Sequence, residues 1–287
     1  MMRRLALALV LSVCACPSVW AIYGVNTDIN SSDSTFVWVG QVNGASGVVI
    51  DPHWVLTAQH VGGNQITLDG TTYTADATYD APSYDLHLMH FASAFGGYYP
   101  LYSGNPLGQT ATLVGFGDSG SLRADGMGYN DLGGAGTRRT ATNTIGLQQS
   151  VAYGAWNTPC ILADLDAPVG NGFGAPYNRD WFGDGGPTSN EGGLMAGDSG
   201  GAWMIDDGGT WKVAGISNYI VDDPAYSSSD PNPLYAFGIS GSSAADLTDP
   251  GVRGWITTTV PEPTSLAAIG LGMFAFLGKR RRRETRV

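Results

Sequence analysis

Across the middle of this chain the apolar residues come in runs too short to make helices. Phe36-Val37-Trp38-Val39, Gly47-Val48-Val49-Ile50, Trp54-Val55-Leu56, Ala111-Thr112-Leu113-Val114 and Trp211-Lys212-Val213-Ala214 are the clearest, and clusters of Gly, Asn, Asp and Ser separate them. Branched and aromatic side chains suit a pleated surface, and the turn formers between them end each run before a helical period can build up. Short strands punctuated this way argue for an all-β sandwich or barrel. One helix is expected late in the chain, with Asp249 as its cap, Pro250 at its first position and Trp255 and Ile256 on its buried face. Residues 170–193 hold eight glycines in 24 positions and are expected to be loop. Asp180, Asp184 and Glu191 bring oxygen ligands of the kind calcium takes, but without EF-hand spacing, so the stretch reads as solvated and no metal or cofactor is expected.

Both ends of the chain read as addresses. Residues 1–21 carry Arg3 and Arg4, an apolar run from Leu5 to Val13, and small residues at Val19 and Ala21. This is the pattern of a secretory signal peptide cut before Ile22, and the run is too short to span a bilayer. A lipoprotein reading at Cys16 is the weaker alternative. At the other end, residues 264–278 are mostly small and apolar with no charge, and Lys279 and Arg280 to Arg283 follow. Such a basic block stops transfer and stays cytoplasmic. With Val260-Pro261-Glu262-Pro263 ahead of it, the segment 259–287 resembles the PEP-CTERM sorting signal of Gram-negative bacteria that make exopolysaccharide. The resemblance implies transient membrane anchoring through an apolar helix at 264–278, processing by signal peptidase and an exosortase-like enzyme, and delivery to the cell surface, outer membrane or matrix. A plain membrane anchor is the alternative.

Removing the ends changes the charge. The whole chain carries 14 basic and 25 acidic residues, but residues 22–260 keep six basic against 23 acidic, a formal charge of −17. A phosphate-backbone binder needs a basic stripe, so nucleic acid is excluded as a partner. Of three cysteines only Cys160 remains, so this exported domain has no internal disulfide and must be held by its core.

Gly197-Asp198-Ser199-Gly200-Gly201 carries the strongest chemical signal. Flanking glycines let the backbone turn tightly, which exposes the serine hydroxyl and turns main-chain N–H groups toward a developing oxyanion. The string also fits the G-x-S-x-G nucleophile elbow, but there the histidine follows the serine. All four histidines (His53, His60, His87, His90) precede Ser199, so the elbow reading fails. A serine becomes a strong nucleophile only when a base takes its proton, and that base needs a carboxylate to fix its tautomer. His60 follows the apolar run Trp54-Val55-Leu56-Thr57-Ala58-Gln59, and Asp85 heads the alternating segment Asp85-Leu86-His87-Leu88, with Asp80 the next candidate. An order using Asp51 is also possible, although Asp51-Pro52 reads as a turn.

With Val55-Leu56-Thr57-Ala58-Gln59-His60, Asp85-Leu86-His87-Leu88, residues 197–201 and Val213-Ala214-Gly215-Ile216-Ser217, residues 22–258 resemble the chymotrypsin-fold, trypsin-like serine endopeptidases. The resemblance implies two six-stranded antiparallel β-barrels with the active site between them and a short C-terminal helix. It makes Ser199 the nucleophile, His60 the general base and later acid, and Asp85 the orienting carboxylate. The Gly197 and Ser199 N–H groups become the oxyanion hole. It also implies that a free Ile22 amine, made by signal cleavage, pairs with Asp198. Gly193, Ser217, Asn218, Tyr219 and Ile220 become the substrate pocket, and with Gly193 at its floor that pocket is neutral. Val61 and Met195 stand where the family has cysteines, and Ala202 where it has proline. The substrate is then a peptide or protein. A catalytically silent surface or matrix module on the same fold, or an esterase using the same triad, are the alternatives.

Overall fold

The computed structural model describes residues 20–24 and 34–260. The expected signal run and the expected apolar helix at 264–278 lie outside the described residues. Among the described residues, no helix is long and apolar enough to cross a membrane.

Among the described residues, two curled antiparallel sheets of seven strands each dominate the fold, together with a three-stranded and a two-stranded sheet, and each large sheet has one strand more than the six-stranded barrels implied above. The first runs, in spatial order, Thr71–Thr74, Gln65–Leu68, Val39–Val42, Ala45–Asp51, Trp54–Thr57, His87–His90 and Ala77–Asp80. The second runs Arg139–Thr144, Thr110–Gly115, Ala202–Asp206, Trp211–Asp222, Ser240–Asp246, Trp156–Asp164 and Leu147–Tyr153.

The inner strands are apolar without alternation because each of their faces meets a different core. Val49, Val55 and Met89 point into the interior of the first sheet, with Ile66, Phe91 and Phe95. Their neighbours Val48, Leu56 and Leu88 point the other way, into a cluster shared between the sheets. The second sheet repeats the arrangement: Leu113, Trp203 and Ala214 fill its own interior, while Val114, Met204 and Val213 join the shared cluster. A strand buried on both faces reads as a continuous hydrophobic run, and the shared cluster locks the two sheets against each other.

The late helix forms as expected at Pro250–Thr259, with the Asp249 carboxylate accepting the Gly251 and Val252 N–H groups at 2.8 and 3.1 Å. Such a cap contributes about 1 kcal/mol. Val252 and Ile256 are the helix's buried residues, and Trp255 is half-buried against the same shared cluster. Phe36-Val37-Trp38-Val39 departs from expectation: Ser34–Phe36 is a single 3-10 turn and the strand begins only at Val39. Packing overrides propensity here, because Phe36 turns into the core edge-on to Trp211 at 5.0 Å instead of lying along the sheet.

Candidate active site

His60 sits in the turn after Trp54–Thr57, and Asp85 in the bend before His87–His90. Those two strands pair directly, Thr57 opposite His87, so the histidine and the carboxylate leave the same end of the sheet side by side. Asp85 is fully buried and holds His60 twice: Oδ1 accepts the His60 backbone N–H at 2.9 Å, and Oδ2 meets Nδ1 at 2.7 Å. With Nδ1 donating to the carboxylate, Nε2 is left as acceptor for the Ser199 hydroxyl, 2.7 Å away. The Asp85 N–H in turn donates to Thr158 Oγ1 at 2.9 Å, and the Asn157 N–H to the Ser83 carbonyl at 3.0 Å, so the second sheet fixes the aspartate of the first.

The serine loop is clamped from both sides. The Ser46 N–H donates to the Ser199 carbonyl at 2.9 Å from the first sheet, and the Gly200 N–H donates to the Ser217 carbonyl at 2.7 Å in the second. Ser46 Oγ accepts the Phe116 N–H at 2.9 Å and reaches the Gly197 carbonyl at 3.4 Å. Gly197 adopts φ +88°, a left-handed conformation that side chains resist. Among the described residues, neither the Gly197 nor the Ser199 N–H has a protein acceptor. Two donors beside a serine hydroxyl suit the negative oxygen of a tetrahedral acyl intermediate.

The other histidines are engaged elsewhere. His87 Nδ1 meets Asp80 at 2.6 Å and its Nε2 the Gly63 carbonyl at 2.9 Å, while His90 meets Asp76 and His53 the Phe91 carbonyl. Asp80, the next sequence candidate for the orienting carboxylate, therefore faces His87 and not His60.

A cavity of about 340 Å³ opens beside the serine, walled by Leu194, Met195, Ala196, Asn218, Tyr219 and Ile220 with His60, Gly197 and Ser199 at its rim. Among the described residues, no carboxylate lines it. Glu191 is buried and turned away, accepting from the Thr188 N–H and hydroxyl. Gly193 is paired with Tyr23 in a short ladder, and Ser217 Oγ accepts the Trp203 indole N–H at 3.2 Å, so neither borders the cavity. A bulge between Ser217 and Tyr219 re-aims the strand at this point. It brings the Tyr219 ring flat against His60, centroids 5.9 Å apart, with Tyr153 at 4.9 Å beyond it. Burial, and next the nearby Asp85 charge, push the Tyr219 phenol up, so it stays neutral.

Ile22 is fully buried and packs in the core of the second sheet with Leu194 and Trp203. Tyr23–Gly24 pairs with Gly192–Gly193, and Trp20–Ala21 with Ser119 and Gly120. Asp198 is also fully buried, its two oxygens accepting the Gly117 and Met195 N–H groups at 2.8 Å each. Burial pushes its carboxyl up to about 7, offset in part by those two bonds and by the charge of Arg139.

Several of these contributors have weak sequence signatures. Ser46, a hydroxyl inside an otherwise apolar strand, is a detectable anomaly; Thr158 and the ring of Tyr219 carry none.

Mouse neuropsin, a serine protease, superposes with a TM-score of 0.52 at 16% identity, covering 82% of this chain and 98% of neuropsin. The fold is chymotrypsin-like. An inactive mutant of the murine norovirus NS6 protease superposes at 0.43 with 18% identity over 76% of this chain and 96% of its own, too loosely to bear on the argument. No curated protein matches the chain in sequence. Residues 259–283 match the PEP-CTERM protein-sorting motif, which marks bacterial proteins for export and surface sorting. A chymotrypsin-like domain thus precedes a sorting tail in this chain, with the hydrogen-bonded His60, Asp85 and Ser199 lying where its two sheets meet.

Proposed function

We propose that this protein is an exported serine endopeptidase that hydrolyses peptide bonds through an acyl-enzyme. The chain of hydrogen bonds from Asp85 through His60 to Ser199 Oγ, with the unengaged Gly197 and Ser199 N–H groups beside it, carries the reading. His60 Nε2 takes the hydroxyl proton as Ser199 Oγ attacks the scissile carbonyl carbon, and the carbonyl oxygen becomes an oxyanion held by the two N–H groups. His60 then gives that proton to the leaving amine, the C–N bond breaks, and the acyl group remains on Ser199. A water molecule, deprotonated by the same nitrogen, attacks the ester and releases the acid. The Asp85 carboxylate stabilises the imidazolium that forms in each half.

The proposed organisation is a signal peptide at 1–21, a protease domain at 22–258 and a sorting segment at 259–287, with processing by signal peptidase and an exosortase-like enzyme. Cleavage before Ile22 would free an amine on a residue already seated in the second sheet, and the buried Asp198 carboxylate would gain from a cation. The walls of the cavity favour a neutral, apolar side chain of modest size. A cavity without a carboxylate gives a lysine or arginine side chain no charge partner, so cleavage after those residues is disfavoured.

Labelling with a fluorophosphonate tests the assignment. The exported wild type is expected to be modified on Ser199 and to cleave protein as well as ester substrates, and Ser199→Ala is expected to lose both label and cleavage. The intact mass of the labelled protein reads its first residue, expected to be Ile22. A protein that takes no label is a silent module, and one that hydrolyses only esters is an esterase.

A further inference from the structure

In the second sheet and the loop that follows its strand Trp156–Asp164, three carboxylates converge. Asp164, Asp166 and Asp184 each offer an oxygen within 4.8 Å of the others. Asp164 ends the strand Trp156–Asp164 and is fully buried. Its Oδ2 accepts the Trp181 and Phe182 N–H groups, but its Oδ1 is buried with no hydrogen-bond partner. Asp184 Oδ2 is in the same condition. A buried polar atom without a partner is costly, and more so when it belongs to a carboxylate beside other carboxylates.

The surroundings do not relieve that charge. Burial comes first in pushing Asp166 up to about 8, and the charges that add to it are Asp164, Asp184 and Asp180. Burial and the charge of Asp164 push Asp184 up to about 7. Arg179 is the neighbouring cation in sequence, but it is spent elsewhere: its guanidinium pairs with Asp223 at 2.8 Å, bonds the Gly238 carbonyl and lies over the Tyr226 ring. Asp180 shapes the loop instead, its oxygens taken by the Gly183, Asp184 and Gly185 N–H groups. Glu191 is likewise occupied by Thr188 and by the Asp166 N–H. Asp166 and Asp180 also line an open cavity of about 340 Å³, which gives an ion a route in from solvent.

We propose that Asp164, Asp166 and Asp184 form a calcium site, in which the cation satisfies the unpartnered oxygens of Asp164 and Asp184. An all-oxygen donor set with no histidine or cysteine selects a hard cation over zinc. An irregular glycine-rich loop suits the flexible coordination of calcium better than the strict octahedron of magnesium, and loop carbonyls and water complete the shell. The sequence alone offered Asp180, Asp184 and Glu191 as oxygen donors but read the loop as solvated, without a metal. Folding instead brings Asp184 to two acids from the end of a strand 18 to 20 residues earlier. The ion would tie the loop, which has little core of its own, to the strand. That loop leads directly into Gly192–Gly193 and the cavity wall at Leu194. The proposal does not rest on the protease reading.

The test uses the full chain carrying Ser199→Ala, so that self-digestion cannot intrude, stripped with a chelator and held at about pH 8, alkaline enough for calcium to compete with protons for the carboxylates. Calcium at about 100 times its Kd is expected to raise Tm by roughly 5–10 °C. Terbium is expected to luminesce on excitation of tryptophan, Trp181 being the donor nearest the site, and calcium to quench that emission. Asp164→Asn with Asp184→Asn should abolish both signals. In chelator the double variant should melt no lower than its parent, because the repulsion has been removed along with the ligands. Should the fully buried Asp164 not tolerate change, Asp166→Asn with Asp184→Asn is expected to weaken calcium binding by at least about tenfold. Absence of any Tm rise up to about 10 mM calcium overturns the proposal, since even weak extracellular sites fill by then. So does a rise that survives in the variants, or one that magnesium produces equally well.

Discussion

Asp85→Asn is expected to lower kcat on a peptide substrate by about 10⁴-fold, the loss that this substitution causes in the Ser-His-Asp template. The reason lies in two bonds to one carboxylate. Oδ1 accepts the His60 backbone N–H, and Oδ2 accepts the Nδ1 proton at 2.7 Å. An asparagine keeps the first, since its amide oxygen can serve as Oδ1 does. It then turns an NH₂ group toward Nδ1. That donor requires Nδ1 to accept, so the ring proton moves to Nε2, where it faces the Ser199 hydroxyl and the base is lost. Size and packing are unchanged, so Tm should move little and KM should stay near the parent value. Steady-state kinetics and a thermal melt on the same preparation measure both. Activity within about tenfold of the parent would mean that Asp85 does not serve His60. Asp80→Asn is the matched control: Asp80 is bonded to His87, 2.6 Å away, and its loss should leave kcat unaltered.

Gly200→Ala should be more damaging to the fold than any other single-methyl addition near the site. Gly200 has φ +81°, where an alanine is strained by about 1–2 kcal/mol. A Cβ at this position would also overlap the Ser46 carbonyl oxygen and the Thr57 hydroxyl. Neither can step aside cheaply. The Ser46 carbonyl already accepts the Thr57 hydroxyl at 2.7 Å, the Ser46 N–H holds the Ser199 carbonyl, and both residues are fully buried strand positions. The serine loop must therefore lift away from the first sheet. Close packing makes such a shift costly, and the expected loss exceeds about 4 kcal/mol, enough to leave much of the chain unfolded at 37 °C. Any protein that does fold should show at least a 100-fold loss of fluorophosphonate labelling rate, because Ser199 Oγ would no longer sit within hydrogen-bonding distance of His60. A soluble variant with an unchanged Tm would show that the loop can part from Ser46, and that the clamp described here does not hold it.

These two expectations also separate what was legible in the residues from what was not. The all-β class, the late capped helix and the loop at 170–193, of which Gly192–Gly193 forms a short strand instead, follow from local chemistry: short β-favouring runs, an Asp-Pro helix start, and glycines that cannot build a core. The order His60, Asp85, Ser199 is equally local, since each residue is tagged by its own motif. Why several inner strands lack alternation was not local. The pattern arises because two sheets share a cluster, so that Val48 and Val49 both find an apolar environment on opposite faces. Phe36 misled for the same reason, because its preference for a strand lost to a place in that cluster beside Trp211.

The walls of the cavity needed the fold even more. A one-residue bulge at Asn218 decides that Tyr219 lies against His60, and no local pattern announces a bulge in a run such as Ser217-Asn218-Tyr219-Ile220. Leu194, Met195 and Ala196, which read as ordinary residues ahead of the serine motif, turn out to line the cavity, while Gly193 is spent on a ladder to Tyr23.

The sequence by itself determined which atoms could do chemistry here. Residue type fixes what a side chain can donate, accept or attack, and chain order excluded every arrangement in which the base follows the serine. The tertiary structure decided which of those atoms meet. It joined Asp85 to His60 and Asp80 to His87, brought Thr158 and Ser46 in as supports, and gathered Asp164, Asp166 and Asp184 into one acidic centre. Contacts between residues far apart in the chain depend on sheet register and on how two cores pack together. Both are collective properties of the folded molecule and belong to no single stretch of it.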